Sequence, residues 1–174
     1  VKLEGGCHMA ATVGYLVERG IPVMGHVGLT PQSINNFGSF RPRGRDDMES
    51  EAIAADGEAV VSAGAFALVV EAVPVRVAAA LTRAMPVPTI GIGASVVCDG
   101  QILVTEDMLG LMPRVPKFVR RYAEVGAIAS DAIARYARDV RNRAFPGVEN
   151  TYAEPGIEEP ETDIPDDEPN AAAK

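Results

Sequence analysis

Short apolar runs that end on polar residues alternate with stretches of helical spacing through most of this chain. Lys2 to Glu4 reads as a brief strand closed by Gly5-Gly6. Met9, Val13, Leu16 and Val17 then recur at the spacing of one helix face, with Gly20 placed as a C-cap. Ile21 to Val27 is a second strand, interrupted by small residues. Thr30-Pro31 signals a helix start, Thr as N-cap and Pro at the first helical position. The stretch from Phe37 to Asp46, rich in Gly, Arg and Pro, predicts a loop. A helix over Asp47 to Ala63, a strand over Ala65 to Val70 and a helix from Pro74 to about Met85 follow. Pro88 to Ile92 and Gln101 to Val104 complete the strand candidates, and helices are expected over Pro116 to Val125 and Ala127 to Arg143.

Strands that alternate with helices specify a parallel α/β sheet or barrel. One step departs from that rhythm. The chain from Gly93 to Gln101 is too short for an ordinary crossover helix, which takes about a dozen residues or more. Strand ends are where such folds place reactive groups, and three of them here carry residues that core packing would not select.

The first is Lys2-Leu3-Glu4. Side chains repeat every two residues along a strand, so Lys2 and Glu4 share a face. They read either as an anion-binding lysine beside a metal-directed carboxylate or as a plain ion pair at a strand end. The second is Glu71, which closes an apolar run. A carboxylate there is partly withdrawn from water and suited to proton transfer, although an acid just ahead of the helix opened by Pro74 is also favourable on electrostatic grounds alone. The third is His26, between Gly25 and Val27, either a site-lining group or a satisfied core histidine.

Other features change the picture less. His8 sits at a helix start and is expected on the surface. Cys7 and Cys98 lack metal-ligand spacing. Gly91-Ile92-Gly93-Ala94 lacks the glycine spacing of a dinucleotide loop and reads as a tight strand end where backbone approaches a ligand. Arg41-Pro42-Arg43-Gly44-Arg45 could meet a phosphate or a glutamate tail, or could be a solvated loop. Asp99-Gly100 reads as a turn.

Charge divides the 174 residues in two. The net charge is -8. Eight acids lie between Glu154 and Glu168 against one Lys174, so the tail carries -7 and Val1 to Tyr152 carries -1. A nearly neutral body gives no electrostatic reason to expect nucleic acid or an anionic membrane as partner. The tail, with four prolines and few large apolar side chains, is expected to be disordered. This sets the expected domains as 1–152, a catalytic domain, and 153–174, an acidic tail. Two cysteines and no visible secretory segment suit a reducing cytoplasm.

The segments Val1-Lys2-Leu3-Glu4-Gly5-Gly6, Gly25-His26-Val27-Gly28-Leu29-Thr30-Pro31-Gln32-Ser33, Glu71-Ala72-Val73-Pro74, Gly91-Ile92-Gly93-Ala94 and Asp99-Gly100-Gln101-Ile102-Leu103-Val104 occur in that order. Together they resemble the ketopantoate hydroxymethyltransferase family over Val1 to Tyr152. The resemblance implies a (β/α)8 TIM barrel of which this chain supplies strands 4 to 8. About 250 residues make a full barrel, so a longer parent protein is expected. It further implies a transferase that moves a hydroxymethyl group from 5,10-methylenetetrahydrofolate to 3-methyl-2-oxobutanoate, giving ketopantoate on the route to pantothenate and coenzyme A. Mg²⁺ would chelate the 2-oxo acid and stabilise its enolate. Lys2 would bind the oxo acid, Glu4 would support the metal, Glu71 would be the acid–base residue, and His26 would line the site. A homo-oligomer is also implied.

The departures are specific. The family's two metal-binding aspartates and its substrate-binding serine lie on the second and third strands, which have no counterpart here, and Glu4 alone cannot hold Mg²⁺. Cys7-His8-Met9 replaces a more polar stretch, and Glu149 to Tyr152 departs mildly. A catalytically inactive barrel fragment, acting only in assembly or interaction, is therefore the competing reading. A barrel of the phosphoenolpyruvate mutase and isocitrate lyase type fits less well, because Thr30-Pro31-Gln32 and Asp99-Gly100-Gln101 point away from it.

Overall fold

Five parallel strands, hydrogen-bonded in the order in which they occur along the chain, organise the computed structural model, which describes residues 1–33 and 41–152. They are β1 (Lys2–Glu4), β2 (Met24–Gly28), β3 (Ala67–Glu71), β4 (Thr89–Ile92) and β5 (Gly100–Gln101). The helices are α1 (Ala10–Val17), α2 (Asp47–Ser62), α3 (Val75–Ala84), α4 (Thr105–Met108) and α5 (Val125–Arg141), with 3₁₀ turns at Cys7–Met9, Pro31–Ser33 and Val148–Asn150. Sequential strand order without reversal is how a sheet grows toward a barrel rather than a doubly wound layer. The described strands form an α/β parallel sheet compatible with part of one.

Register assigns the two faces. Leu3, Gly25 and Leu68 lie abreast, with Thr89 beside Leu68, and Val27, Val70 and Gly91 form the next row on the same side. This side meets the helices. Val13 of α1, Val60 of α2, and Val77, Ala78 and Leu81 of α3 are buried with Val27, Leu68 and Val70 in one core. The opposite side carries Lys2, Met24 and Ala67 in one row, Glu4, His26, Val69 and Ile90 in the next, and Gly28, Glu71 and Ile92 at the C-terminal end. Lys2, Glu4, His26 and Glu71 all fall on that second face, away from the helical core.

Local chemistry explains the element ends near it. Asp46 caps α2 by accepting the Glu49 backbone N–H at 2.8 Å, and Glu49 Oε2 accepts the backbone N–H groups of Gly44 and Arg45. Pro74, with φ of -57°, leads directly into α3. Asp99 Oδ2 accepts both the backbone N–H and the hydroxyl of Thr89, tying the turn before β5 to the start of β4. Those two bonds, the backbone one first, hold the Asp99 carboxyl below its ordinary range.

Several expectations change in detail. The helix expected over Pro116 to Val125 is absent. Leu109 to Glu124 is instead a loop closed at its base, where Tyr122 N donates to Met108 O (2.8 Å) and Val125 N to Leu109 O (2.9 Å). The Arg121 guanidinium donates to the Met112 and Pro113 carbonyls, folding the segment back on itself. The last strand covers Gly100–Gln101 rather than Gln101 to Val104, because Val104 already begins the turn into α4. Thr30-Pro31 opens a 3₁₀ turn. The stretch from Gly93 to Asp99 contains no helix, as its length requires. Residues 34–36, into which the helix expected at Thr30-Pro31 would run, residues 37–40 of the expected loop and the acidic tail from Ala153 lie outside the described residues.

Candidate active site

The C-terminal ends of β1, β2 and β3 bring Lys2, Glu4, His26 and Glu71 together. Glu4 and His26 are paired across the sheet, whereas Glu71 lies one row further along, opposite Gly28. Only a parallel register of this kind places a histidine between two carboxylates that are 67 residues apart in the chain.

His26 is the hub. Its side chain is 3% exposed, against 7% for Glu4 and 13% for Glu71, while Lys2 remains 44% exposed. Lys2 Nζ lies 3.0 Å from His26 Nδ1 and 3.4 Å from Glu4 Oε1. An ammonium group has donors and no acceptor, so Nδ1 acts as the acceptor and the neutral ring carries its proton on Nε2. Nε2 stands 3.1 Å from Glu71 Oε2 but is not aligned with it as a hydrogen bond, and it has no other partner among the described residues. A buried N–H left in that state costs about 1–3 kcal/mol. It is therefore a group held ready for an acceptor beside a carboxylate.

Backbone bonds position both acidic residues. Glu4 Oε2 accepts the Gln32 backbone N–H at 2.8 Å, from the 3₁₀ turn that Thr30-Pro31 starts. Glu71 is held by its neighbours: Leu29 N donates to Glu71 O, Ala72 N to Ile92 O, and Arg43 N to Ala72 O, all within 3.0 Å. Ala72 itself adopts a left-handed conformation with φ of 49°. An L-residue there costs about 1–2 kcal/mol, and strain of this kind persists only where surrounding contacts over-determine it. Sequence spacing gave no signal for it, since alanine at a strand end is unremarkable.

The donor set does not make a magnesium site by itself. Among the described residues no group of three or more His, Cys, Asp or Glu is arranged to hold a metal ion. Glu4 spends one oxygen on Gln32 and turns the other toward Lys2 and His26. A hard divalent cation needs about six oxygen ligands, and one carboxylate facing an ammonium group does not fit it. The arrangement can bind an anionic oxygen through Lys2 and the His26 N–H, and it can move a proton through Glu71.

The remaining candidates fall outside this cluster. His8 is exposed in its 3₁₀ turn. Cys98 is buried in the core, and Cys7 is exposed with its thiol pushed up by a hydrogen bond to Asp56, a poor setting for a nucleophile. Arg43 pairs with Glu49 at 3.4 Å, so much of the basic loop from Arg41 to Arg45 serves the start of α2. No helix among the described residues is long and apolar enough to cross a membrane.

Comparison with known proteins converges on one family. A family model described as ketopantoate hydroxymethyltransferase matches residues 1–148. A protein of Rhodospirillum centenum named 3-methyl-2-oxobutanoate hydroxymethyltransferase is 60% identical over 154 residues, covering 88% of this chain and 56% of the relative. A protein of the same name from Novosphingobium aromaticivorans is 57% identical over 152 residues, covering 87% of this chain and 53% of the relative. The chain thus spans about half the length of the curated relatives it matches.

Proposed function

This chain belongs to the ketopantoate hydroxymethyltransferase family, and from that premise we propose that its Lys2–Glu4–His26–Glu71 cluster performs the enolisation half of hydroxymethyl transfer from 5,10-methylenetetrahydrofolate to 3-methyl-2-oxobutanoate. The observation that carries the reading is the unpartnered His26 N–H set 3.1 Å from the Glu71 carboxylate, with Lys2 on the other ring nitrogen. That is a donor pair beside a base, which is what removing a proton next to a ketone requires.

In the proposed sequence Lys2 holds the anionic end of the oxo acid, since it is the exposed cation at the mouth. Glu71 takes the C3 proton, and the electron pair of that C–H bond moves onto the ketone oxygen as an enolate. The His26 N–H supplies a hydrogen bond to that oxygen as charge develops. C3 then forms a carbon–carbon bond with the methylene carbon of the folate. Water supplies the hydroxyl group to that carbon and its remaining proton to one folate nitrogen, both carbon–nitrogen bonds of the methylene bridge break, and tetrahydrofolate and ketopantoate leave. Glu71 returns its proton to the other folate nitrogen, directly or through water.

The same reading carries Mg²⁺, a cytoplasmic setting, a homo-oligomer and a complete eight-stranded barrel in which this sheet forms strands 4 to 8. Glu4 is at most one of the metal's supports, and no step above runs through it. Incubating the full-length protein with both substrates and following ketopantoate by mass spectrometry tests the proposal. Product that depends on both substrates is expected, and an absence of product with folded protein contradicts it.

A further inference from the structure

Beyond the oxo-acid site, the structure carries one strongly charged element that the chemistry above does not use. From Leu109 to Ala123 there is no Asp or Glu, while Arg114, Lys117, Arg120 and Arg121 supply four cations, in a body whose net charge is -1. The segment is closed at its base by backbone bonds from Tyr122 to Met108, Val125 to Leu109 and Gly126 to Gly110. Compact surface loops with adjoining ends are often functional.

Two anchors place it. Arg121 turns inward and donates to the carbonyls of Met112 (2.8 Å) and Pro113 (3.1 Å), with Glu124 Oε2 at 3.3 Å from its Nη1. That arginine organises the loop. Phe118 lies against Gly93, so closely that a Cβ on Gly93 would fall 2.5 Å from Phe118 Cδ1. Gly93 has φ of +62° and directly follows Ile92, which pairs with Glu71 in the sheet. The ring therefore packs against the residue that follows the strand partner of Glu71, at the C-terminal end of the sheet. With both anchors set, Arg114, Lys117 and Arg120 remain exposed on the loop, Arg120 lying 5.3 Å over the Tyr122 ring.

We propose that this basic loop is the seat for the anionic glutamate tail of the one-carbon donor. The inference rests on the hydroxymethyltransferase reading, which supplies the donor's chemistry. A folate carries a carboxylate-bearing glutamate at the end remote from the reacting carbon, and each γ-linked glutamate added extends it by one more negative charge. Three cations spaced three residues apart on one anchored loop complement a linear series of carboxylates. The loop from Arg41 to Arg45 serves less well, because Glu49 engages Arg43 and the backbone N–H groups beside it.

The test compares monoglutamyl with pentaglutamyl 5,10-methylenetetrahydrofolate as substrates of the full-length protein. Exposed ion pairs each contribute roughly two- to fivefold, so the longer tail is expected to lower KM about tenfold, and less at high salt. The R114Q/K117Q/R120Q variant should lose that preference, and R114K/R120K should keep most of it. Hydrogen–deuterium exchange at C3 of the oxo acid, which needs no folate, is followed in the unaltered protein alongside. Exchange with a KM indifferent to tail length, or a preference that survives the triple substitution, overturns the loop assignment alone. No exchange and no product would instead sink the underlying reaction, and the inference with it.

Discussion

Gly25 controls how closely α2 approaches the strand that carries His26, and Gly25→Ala should damage both stability and the site. A Cβ at that position would fall 2.8 Å from Val60 Cγ2 and 3.2 Å from Leu68 Cδ1. Carbon atoms pack at about 3.5–4.0 Å, so the first contact is short by roughly 1 Å. Neither neighbour can escape to solvent, since Val60 is 1% and Leu68 0% exposed. Overpacking of this kind costs about 1–3 kcal/mol. Reduced freedom of the unfolded chain returns about 0.4–1 kcal/mol, leaving a net loss near 1–2 kcal/mol. Relief by movement of β2 would shift the next residue, His26, relative to Lys2 Nζ at 3.0 Å, and a displacement of about 1 Å can reduce turnover about a hundredfold. Urea denaturation and turnover on Gly25→Ala, Val60→Ala and the double variant form a cycle. If the clash is the cause, the double variant is more stable than the sum of the singles by about 1 kcal/mol or more. Additive effects, or a neutral Gly25→Ala, would refute the packing argument.

Three further outcomes follow from the geometry. Lys2→Gln removes the cation that meets His26 Nδ1, and kcat/KM for the oxo acid should fall about tenfold, a figure reduced for the exposure of Lys2; steady-state kinetics on the full-length protein decide it, and an unchanged value removes Lys2 from substrate binding. Asp99→Asn should lower stability at neutral pH. The folded carboxyl titrates below its ordinary range, so its contribution is present above about pH 4 and fades as pH falls through the depressed value. Denaturation across pH should therefore show the gap to the unaltered protein closing on the acid side, and a gap that widens there contradicts the assignment. The 174-residue chain by itself should self-associate, because β1 and β5 are open edges and α5 exposes Ile128 (68%), Ile133 (67%) and Tyr136 (55%); a monodisperse monomer in sedimentation would contradict this.

Where the sequence was legible, one physical rule was acting locally. The run from Ala65 to Val70 ending on Glu71 suits a strand covered on both faces, and Ala67 to Val70 are all buried in β3. Period-two alternation put Lys2 and Glu4 on one side, and their side chains do meet at 3.4 Å. Strand-end logic nominated His26 and Glu71 separately. Their approach to each other depends on the β2–β3 register, which no local rule supplies. The same limit hid the Lys2–His26 contact and the left-handed Ala72, both consequences of long-range packing. Asp99 looked like an ordinary turn residue because its partner, Thr89, lies ten residues away on another strand. The segment from Pro116 to Val125 failed for a different reason. Its composition tolerates a helix, but Arg121 and Phe118 find better partners in the carbonyls of Met112 and Pro113 and in the open face of Gly93.

The central claim is that Glu71 takes the proton that starts the reaction. Exchange of the C3 proton of 3-methyl-2-oxobutanoate for deuterium, followed by NMR in the full-length protein and in Glu71→Gln, isolates that step without folate. A positioned general base contributes about 10²–10⁴ in rate, so Glu71→Gln should slow exchange by at least about a hundredfold while the oxo acid still binds. Exchange in Glu71→Gln at a rate comparable to the unaltered protein would contradict the account and move the base elsewhere.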